Sequence, residues 1–144
     1  MATYNKFQDY TEQLNKGVHV WSSHTFKAAL SNTAPSASDT GLATGGAHPP
    51  PAAANGYAAG GQALDSVTLS EASGTAKVVI ADEVFTATAG GIGPFRYTII
   101  YNDSATSPAD ALVNWYDYGS SITLADTETF TIDFDPTNGL WQLV

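Results

Sequence analysis

The chain has 144 residues, with 13 glycines, seven prolines, no cysteine, and 14 acidic against five basic side chains, a formal charge of -9 at pH 7. The negative balance removes the counterion release on which nucleic-acid binding depends and repels anionic lipid heads, so neither nucleic acid nor membrane is expected as a partner. The lack of cysteine excludes disulfides, thiol catalysis and zinc-thiolate sites, and a chain of this length has room for one core-forming domain and an extension.

The first segment, Thr3 to Lys16, spaces Phe7, Tyr10 and Leu14 three and four residues apart, with Thr3 as cap and Gly17 as stop. That pattern predicts one short amphipathic helix, whose narrow apolar stripe must lie on a sheet or on a neighbouring subunit. Its start has no basic stretch leading into an apolar core, and no apolar run approaches the roughly 20 residues that span a bilayer, so a soluble protein made in the cytoplasm is expected. Val18 to Val20 and Thr25 to Leu30 follow as extended pieces. Residues 1–32 thus hold the helix and first strands.

Residues 33–62 consist largely of Ala, Gly, Pro, Ser and Thr, with Pro49-Pro50-Pro51 and the turn signals Asn55-Gly56 and Gly60-Gly61. Such a stretch buries too little to offset its ordering entropy, which predicts a long arm or loop that becomes ordered by lying across a neighbour.

Residues 63–144 form the β-domain core, one domain together with 1–32. Strand-like runs recur at Ser66–Ser70, Thr75–Ile80, Val84–Thr88, Phe95–Asn102, Ala111–Tyr118, Ile122–Leu124, Thr127–Phe134 and Leu140–Val144. Spacing of this kind predicts an all-β fold, a sandwich or jelly-roll-like domain. Phe130, Ile132 and Phe134 alternate with Thr129, Thr131 and Asp133, one dry face against one wet face. Phe95, Tyr97, Ile99 and Tyr101 share a face of their strand, with Arg96, Thr98 and Ile100 on the other, so both faces should be at least partly covered. Asn138-Gly139 predicts a hairpin turn into the last strand, and the chain stops within that strand, leaving no free C-terminal tail.

Few residues suggest chemistry. Asp133 and Asp135 lie about 7 Å apart along a strand, a separation that suits a glycosidase pair, yet Asp135-Pro136-Thr137-Asn138-Gly139 is first of all a turn sequence. The same residues loosely resemble a calcium loop, but the ligand spacing is broken and no bidentate glutamate follows. His19 and His24 differ by an odd number, so on one strand they face opposite ways and share no metal. Gly90-Gly91-Ile92-Gly93 has the composition of a phosphate loop but leads into Pro94 and a strand, hence a turn. No catalytic residue, metal or cofactor is expected. Arg96, the one arginine, lies in an apolar, aromatic strand and calls for a carboxylate partner, Asp117 being the first choice, as a pair that fixes register or a subunit contact.

The phrases Tyr4-Asn5-Lys6-Phe7, Gly17-Val18-His19, Thr25-Phe26-Lys27, Asn32-Thr33-Ala34-Pro35 and Gly93-Pro94-Phe95-Arg96-Tyr97 resemble a family of small tailed-phage structural proteins. The run from Asp117 to Asp126, Glu128-Thr129-Phe130-Thr131 and Asn55-Gly56-Tyr57 extend the resemblance over nearly the whole chain. It implies a virion component. Small size, acidity and β-rich character point within that class to a capsid cement or decoration protein, a homotrimer bound to the major capsid protein. A tail, adaptor or fibre-associated protein is the alternative, and a receptor or glycan-binding module using Trp21, Trp115, Tyr116 and Trp141 a third. Only 13% of residues are charged, a surface suited to packing against protein. The expected interface residues are Phe7, Tyr10, Leu14, Trp21, Tyr57, Arg96, Trp115, Tyr116 and Tyr118.

Overall fold

The computed structural model describes residues 2–42 and 48–144. It is an all-β protein whose strands are β1 (Thr3–Lys6), β2 (Phe26–Ser31), β3 (Gln62–Ala63), β4 (Thr68–Ala72), β5 (Thr75–Val79), β6 (Glu83–Thr86), β7 (Ile92–Thr106), β8 (Ala109–Leu124), β9 (Thr129–Ile132) and β10 (Trp141–Leu143). Among the described residues the one helix is α1 (Asp9–Asn15). The strands build a five-stranded sheet in the order β1-β8-β7-β2-β3, a three-stranded sheet β10-β5-β4 and a two-stranded ribbon β6-β9, and all pairings are antiparallel.

The central hairpin β7-β8 is apolar on both faces, and each face carries its own core. Phe26, Ala28, Leu30, Ile100 and Val113 pack with Val78 and Ile80 behind β5, Phe85 of β6, and Ile132 and Phe134 of the β9 segment. The opposite face gathers Phe7, Ala29, Tyr97, Ile99, Tyr101, Leu112 and Trp115, against which Ala37 and Leu42 lie. Phe95 leaves the face predicted for it and joins the first core. The register slips between Ile92 and Phe95 and again between Phe95 and Tyr97, and a bulge reverses the side-chain alternation that a continuous strand would keep. On β9 the expected alternation holds: Ile132 and Phe134 are buried, while Thr129, Thr131 and Asp133 are exposed.

The N-terminal segment differs from the single helix expected over Thr3 to Lys16. Thr3–Lys6 is a strand, pairing Thr3 with Asp117 and Lys6 with Asn114 at the edge of β8, and the helix is confined to seven residues that Gln8 opens without a side-chain cap. An open sheet edge satisfies those backbone groups better than one further helical turn would. Phe7, at the junction, turns under the sheet against Trp115 with ring centroids 4.5 Å apart, so it does not share a helical stripe with Tyr10. Gly17 ends the helix as predicted, with φ +76° and its N–H donating to the Leu14 carbonyl. Val18–Val20 is not a strand.

Of residues 33–62, positions 43–47 lie outside the described residues, and the rest rest on their own chain instead of waiting for a neighbour. The Gln8 N–H donates to the Ala37 carbonyl, Leu42 N–H to Asp110 and Leu112 N–H to Thr40, so backbone pairing supplies what the small side chains cannot. The buried Tyr57 hydroxyl accepts the Leu30 N–H at 3.0 Å, and the Tyr101 hydroxyl donates to the Gly60 carbonyl at 2.7 Å. His48 is buried with Nε2 3.1 Å from an Asp39 carboxylate oxygen. Replacing Tyr57 by Phe leaves the Leu30 N–H without its acceptor, and chemical denaturation should show a loss of about 1–2 kcal/mol with no change of fold.

Asn138-Gly139 is a turn but not a hairpin: β9 pairs with β6 and β10 with β5, so the turn carries the chain between sheets. Asp135 organises it, accepting the Thr137 and Asn138 N–H groups at 2.7 and 2.9 Å.

Candidate functional site: an aromatic groove beside Tyr118

The predicted partner of Arg96 is the observed one. Its Nε and a terminal nitrogen grip the two Asp117 oxygens at 2.7 and 2.9 Å. Opposite Arg96 the ladder is broken: Phe95 pairs with Ile122 and Tyr97 with Asp117, so Arg96 alone faces residues 118–121 of β8. The surplus residues form a bulge, and Asp117 holds it at its base, its Oδ1 also accepting the Gly119 N–H at 2.8 Å. Gly119 itself has φ +98°, the left-handed conformation that lets the chain turn back. The Arg96 hydrogen bonds, with help from the Gly119 N–H, keep the Asp117 carboxyl below its ordinary range.

The bulge turns Tyr118 outward, 51% exposed, and sets its ring edge-on to Phe130 at 6.1 Å. A groove of about 490 Å³ opens beside it, lined by Ala2 and by Thr98, Tyr116 and Tyr118 of the large sheet on one side and by Phe130, Thr131, Ile132 and Asp133 of the β9 segment on the other. A second depression of about 460 Å³ continues past Tyr118 and Phe130 between Ile122–Leu124 and Thr127–Thr129, with Glu128 on its rim. Tyr116 is half-buried in the first of these, where burial pushes its hydroxyl up to about 12, and Tyr4 stands against it at 5.7 Å. Arg96→Met should leave the fold intact but free the bulge: the Asp117 pKa should rise and the Gly119 amide should exchange faster by NMR. An unchanged Gly119 amide would remove this role from the pair.

The other expected interface residues are elsewhere. Phe7, Tyr10, Trp21, Tyr57 and Trp115 are all at most 9% exposed and belong to the two cores, because the chain's own smaller sheets and helix cover one face of the large sheet and its arm lies against the other. Leu14 packs half-buried on the first core. Trp21 lies flat on Phe26, centroids 3.7 Å apart, and donates its indole N–H to the Tyr10 hydroxyl. Trp21 and Trp115 thus present no stacking face to a glycan. Of the nine residues, Tyr116 and Tyr118 line the groove, and Arg96 bears on it only through the bulge that it holds with Asp117.

The acid-base candidates separate. Asp135 caps its turn, and the Asn138 backbone and side-chain donors, then Thr137, lower its pKa, opposite to the shift a general acid requires. Asp133 stands in the groove wall. His19 and His24, expected to diverge, instead both direct Nδ1 at the Asn102 side-chain amide, at 3.5 and 3.0 Å. A turn closed by the His24 N–H to the Val20 carbonyl separates them, and neither lies on a strand, so strand alternation does not apply to them. Among the described residues no group of three or more His, Asp or Glu side chains is placed to hold a metal ion, and no helix is long and apolar enough to cross a membrane. Gly90 lies in a turn, while Ile92 and Gly93 already belong to β7.

The groove escaped sequence reading because β9 and β8 are joined by no ladder. The one available signal was Tyr118-Gly119-Ser120-Ser121, which interrupts a strand pattern with a glycine beside a predicted ion pair. Comparison with known proteins finds no matching family model, no matching curated protein and no matching solved structure.

Proposed function

We propose that this chain is a structural subunit of a tailed-bacteriophage virion, a capsid cement or decoration protein that bridges major capsid subunits and acts by packing, not by catalysis. The observation that carries the reading is the outward groove around Tyr118, lined by Tyr116, Tyr118 and Phe130 and set on the bulge that Arg96 and Asp117 hold. The sequence resemblance to small tailed-phage proteins supplies the particle. Two smaller sheets lying on one face of the large one fit a sandwich-like domain, and closed assemblies of such a domain, a trimer first among them, multiply weak contacts into a stable shell.

Quantitative mass spectrometry of purified particles tests the reading. A cement protein should be present on the order of hundreds of copies per particle, and about a dozen or fewer would move it to the neck, adaptor or tail. Absence from particles would end the reading. The receptor or glycan-binding reading keeps one supporting observation, the Tyr116, Tyr118 and Asp133 lining, and a glycan array with the isolated protein tests it.

A further inference from the structure

Strand β9 has β6 on one edge and, among the described residues, no hydrogen-bonded strand on the other. Four consecutive residues, Phe130 to Asp133, line the groove. Since successive side chains of a strand point to opposite faces, consecutive residues border one cavity only along the strand's edge. Ala87 bonds with Thr127 and Glu128 at the start of the ribbon, and the alternation of an antiparallel ladder then turns the N–H and C=O groups of Thr129 and Thr131 away from β6. The groove therefore has a row of backbone donors and acceptors on one side and tyrosine rings on the other.

We propose that this groove takes an extended segment of a partner protein, added as a further strand to the free edge of β9, in which apolar residues alternate with Lys or Arg. A strand in that place would turn every second side chain down onto Tyr116, Tyr118 and Phe130, which selects apolar groups. The intervening side chains would lie beside Thr129, Thr131 and Asp133, with Glu128 at the far end, which selects cations. No cation lines either part of the groove. A second copy of this chain does not meet the requirement. Its five cations are all engaged within their own chain, Lys6 with Thr11, Lys16 with Glu12, Lys27 with Asp103, Lys77 with Thr137 and Arg96 with Asp117, and two copies would bring together charges of the same sign.

The proposal deepens the assembly reading and rests on it for its purpose, but the binding is measured separately. The probe is a seven-residue peptide alternating valine and lysine, titrated into the full chain at about 0.1 M salt, where long-range attraction is largely screened. It should slow amide exchange at Thr129 and Thr131, and it should bind at least tenfold more tightly than the same peptide N-methylated on alternate amides or with its valines and lysines in separate blocks. Asp133→Lys should weaken it about tenfold, and a valine-glutamate peptide should then bind the variant better than the parent. Absence of binding, equal binding of the methylated or block peptides, indifference to Asp133→Lys, dimer formation through β9, or neutral oligosaccharides perturbing Tyr118 and Thr131 instead would each overturn the proposal. In particles, Asp133→Lys incorporated at the parent's copy number would overturn the groove and leave the virion reading standing. A parent chain missing from particles would do the reverse, with the peptide result unaffected.

Discussion

Gly61→Ala should destabilise the protein by about 3 kcal/mol or more in urea unfolding, far beyond an ordinary glycine substitution. Gly61 has φ +87°, and a Cβ placed there would stand 1.9 Å from the Ala28 carbonyl oxygen and 2.8 Å from the Ala29 Cα. Both are backbone atoms of β2, in the interior of the five-stranded sheet, so no side-chain rotation can relieve the overlap. Left-handed backbone alone costs a non-glycine residue roughly 1–2 kcal/mol, and the rest comes from forcing β3 away from β2. Gly74→Ala is the control: its φ is +84°, but nothing lies within 4 Å of the added methyl, so about 1 kcal/mol is expected. Equal losses in the two variants would sink the account. The loss should also be local first, with the Leu30 amide, bonded to Tyr57, exchanging faster in Gly61→Ala, because Gly61 pins the C-terminal end of the 33–62 arm.

That arm marks the boundary of what could be read from sequence. Strands from Thr68 onward follow local alternation and turn residues, and β7 shows its double-sided burial in the run Tyr97 to Tyr101. The Arg96–Asp117 pair was foreseeable because a single guanidinium among aromatic residues must be matched. Residues 33–62 carry no such local pattern. Their order comes from single backbone bonds to distant strands, such as Leu42 to Asp110 and Leu112 to Thr40, and composition does not encode partners so far apart in sequence. Composition correctly identified a segment with few core residues, but not that Ala37 and Leu42 would cover the Tyr97–Trp115 face. The same limit explains Thr3–Lys6. Helical spacing was present at Tyr10 and Leu14, but the open edge of β8, over a hundred residues away, decided the conformation of what preceded them. Phe7, Tyr10, Trp21, Tyr57 and Trp115 are core residues for a related reason: aromatic residues on both faces of a strand imply cover, and sequence alone does not say whether another subunit or the same chain provides it.

Acid should weaken the fold through His19 before the carboxylates titrate. The ring is buried, 5.0 Å from Tyr10 and 6.1 Å from Phe26, and burial lowers its pKa from 6.5 to about 4, with Asp9 opposing the shift and His24 adding to it. A histidine whose folded pKa lies below its unfolded one binds its proton first in the unfolded chain, so stability falls as pH drops from about 6.5 and the loss is complete near 4. Over that window the displacement corresponds to about 3 kcal/mol. The lowered carboxyls of Asp117 and Asp135 act at lower pH, and the raised, buried Glu83 acts in the opposite direction. The measurement is therefore a difference: urea unfolding of the parent and His19→Leu at intervals from pH 7 to 4. The substitution keeps Asn102 satisfied, because its amide still donates to the Val18 carbonyl at 2.9 Å and to His24. The two curves should converge by up to about 3 kcal/mol as the pH falls, the variant losing less. Parallel curves would mean that His19 takes up its proton with the same pKa in the folded and unfolded chain, and would sink the account. Convergence, with faster exchange at Asn102 in the parent alone, would place the first acid-labile point at the turn that joins α1 to β2.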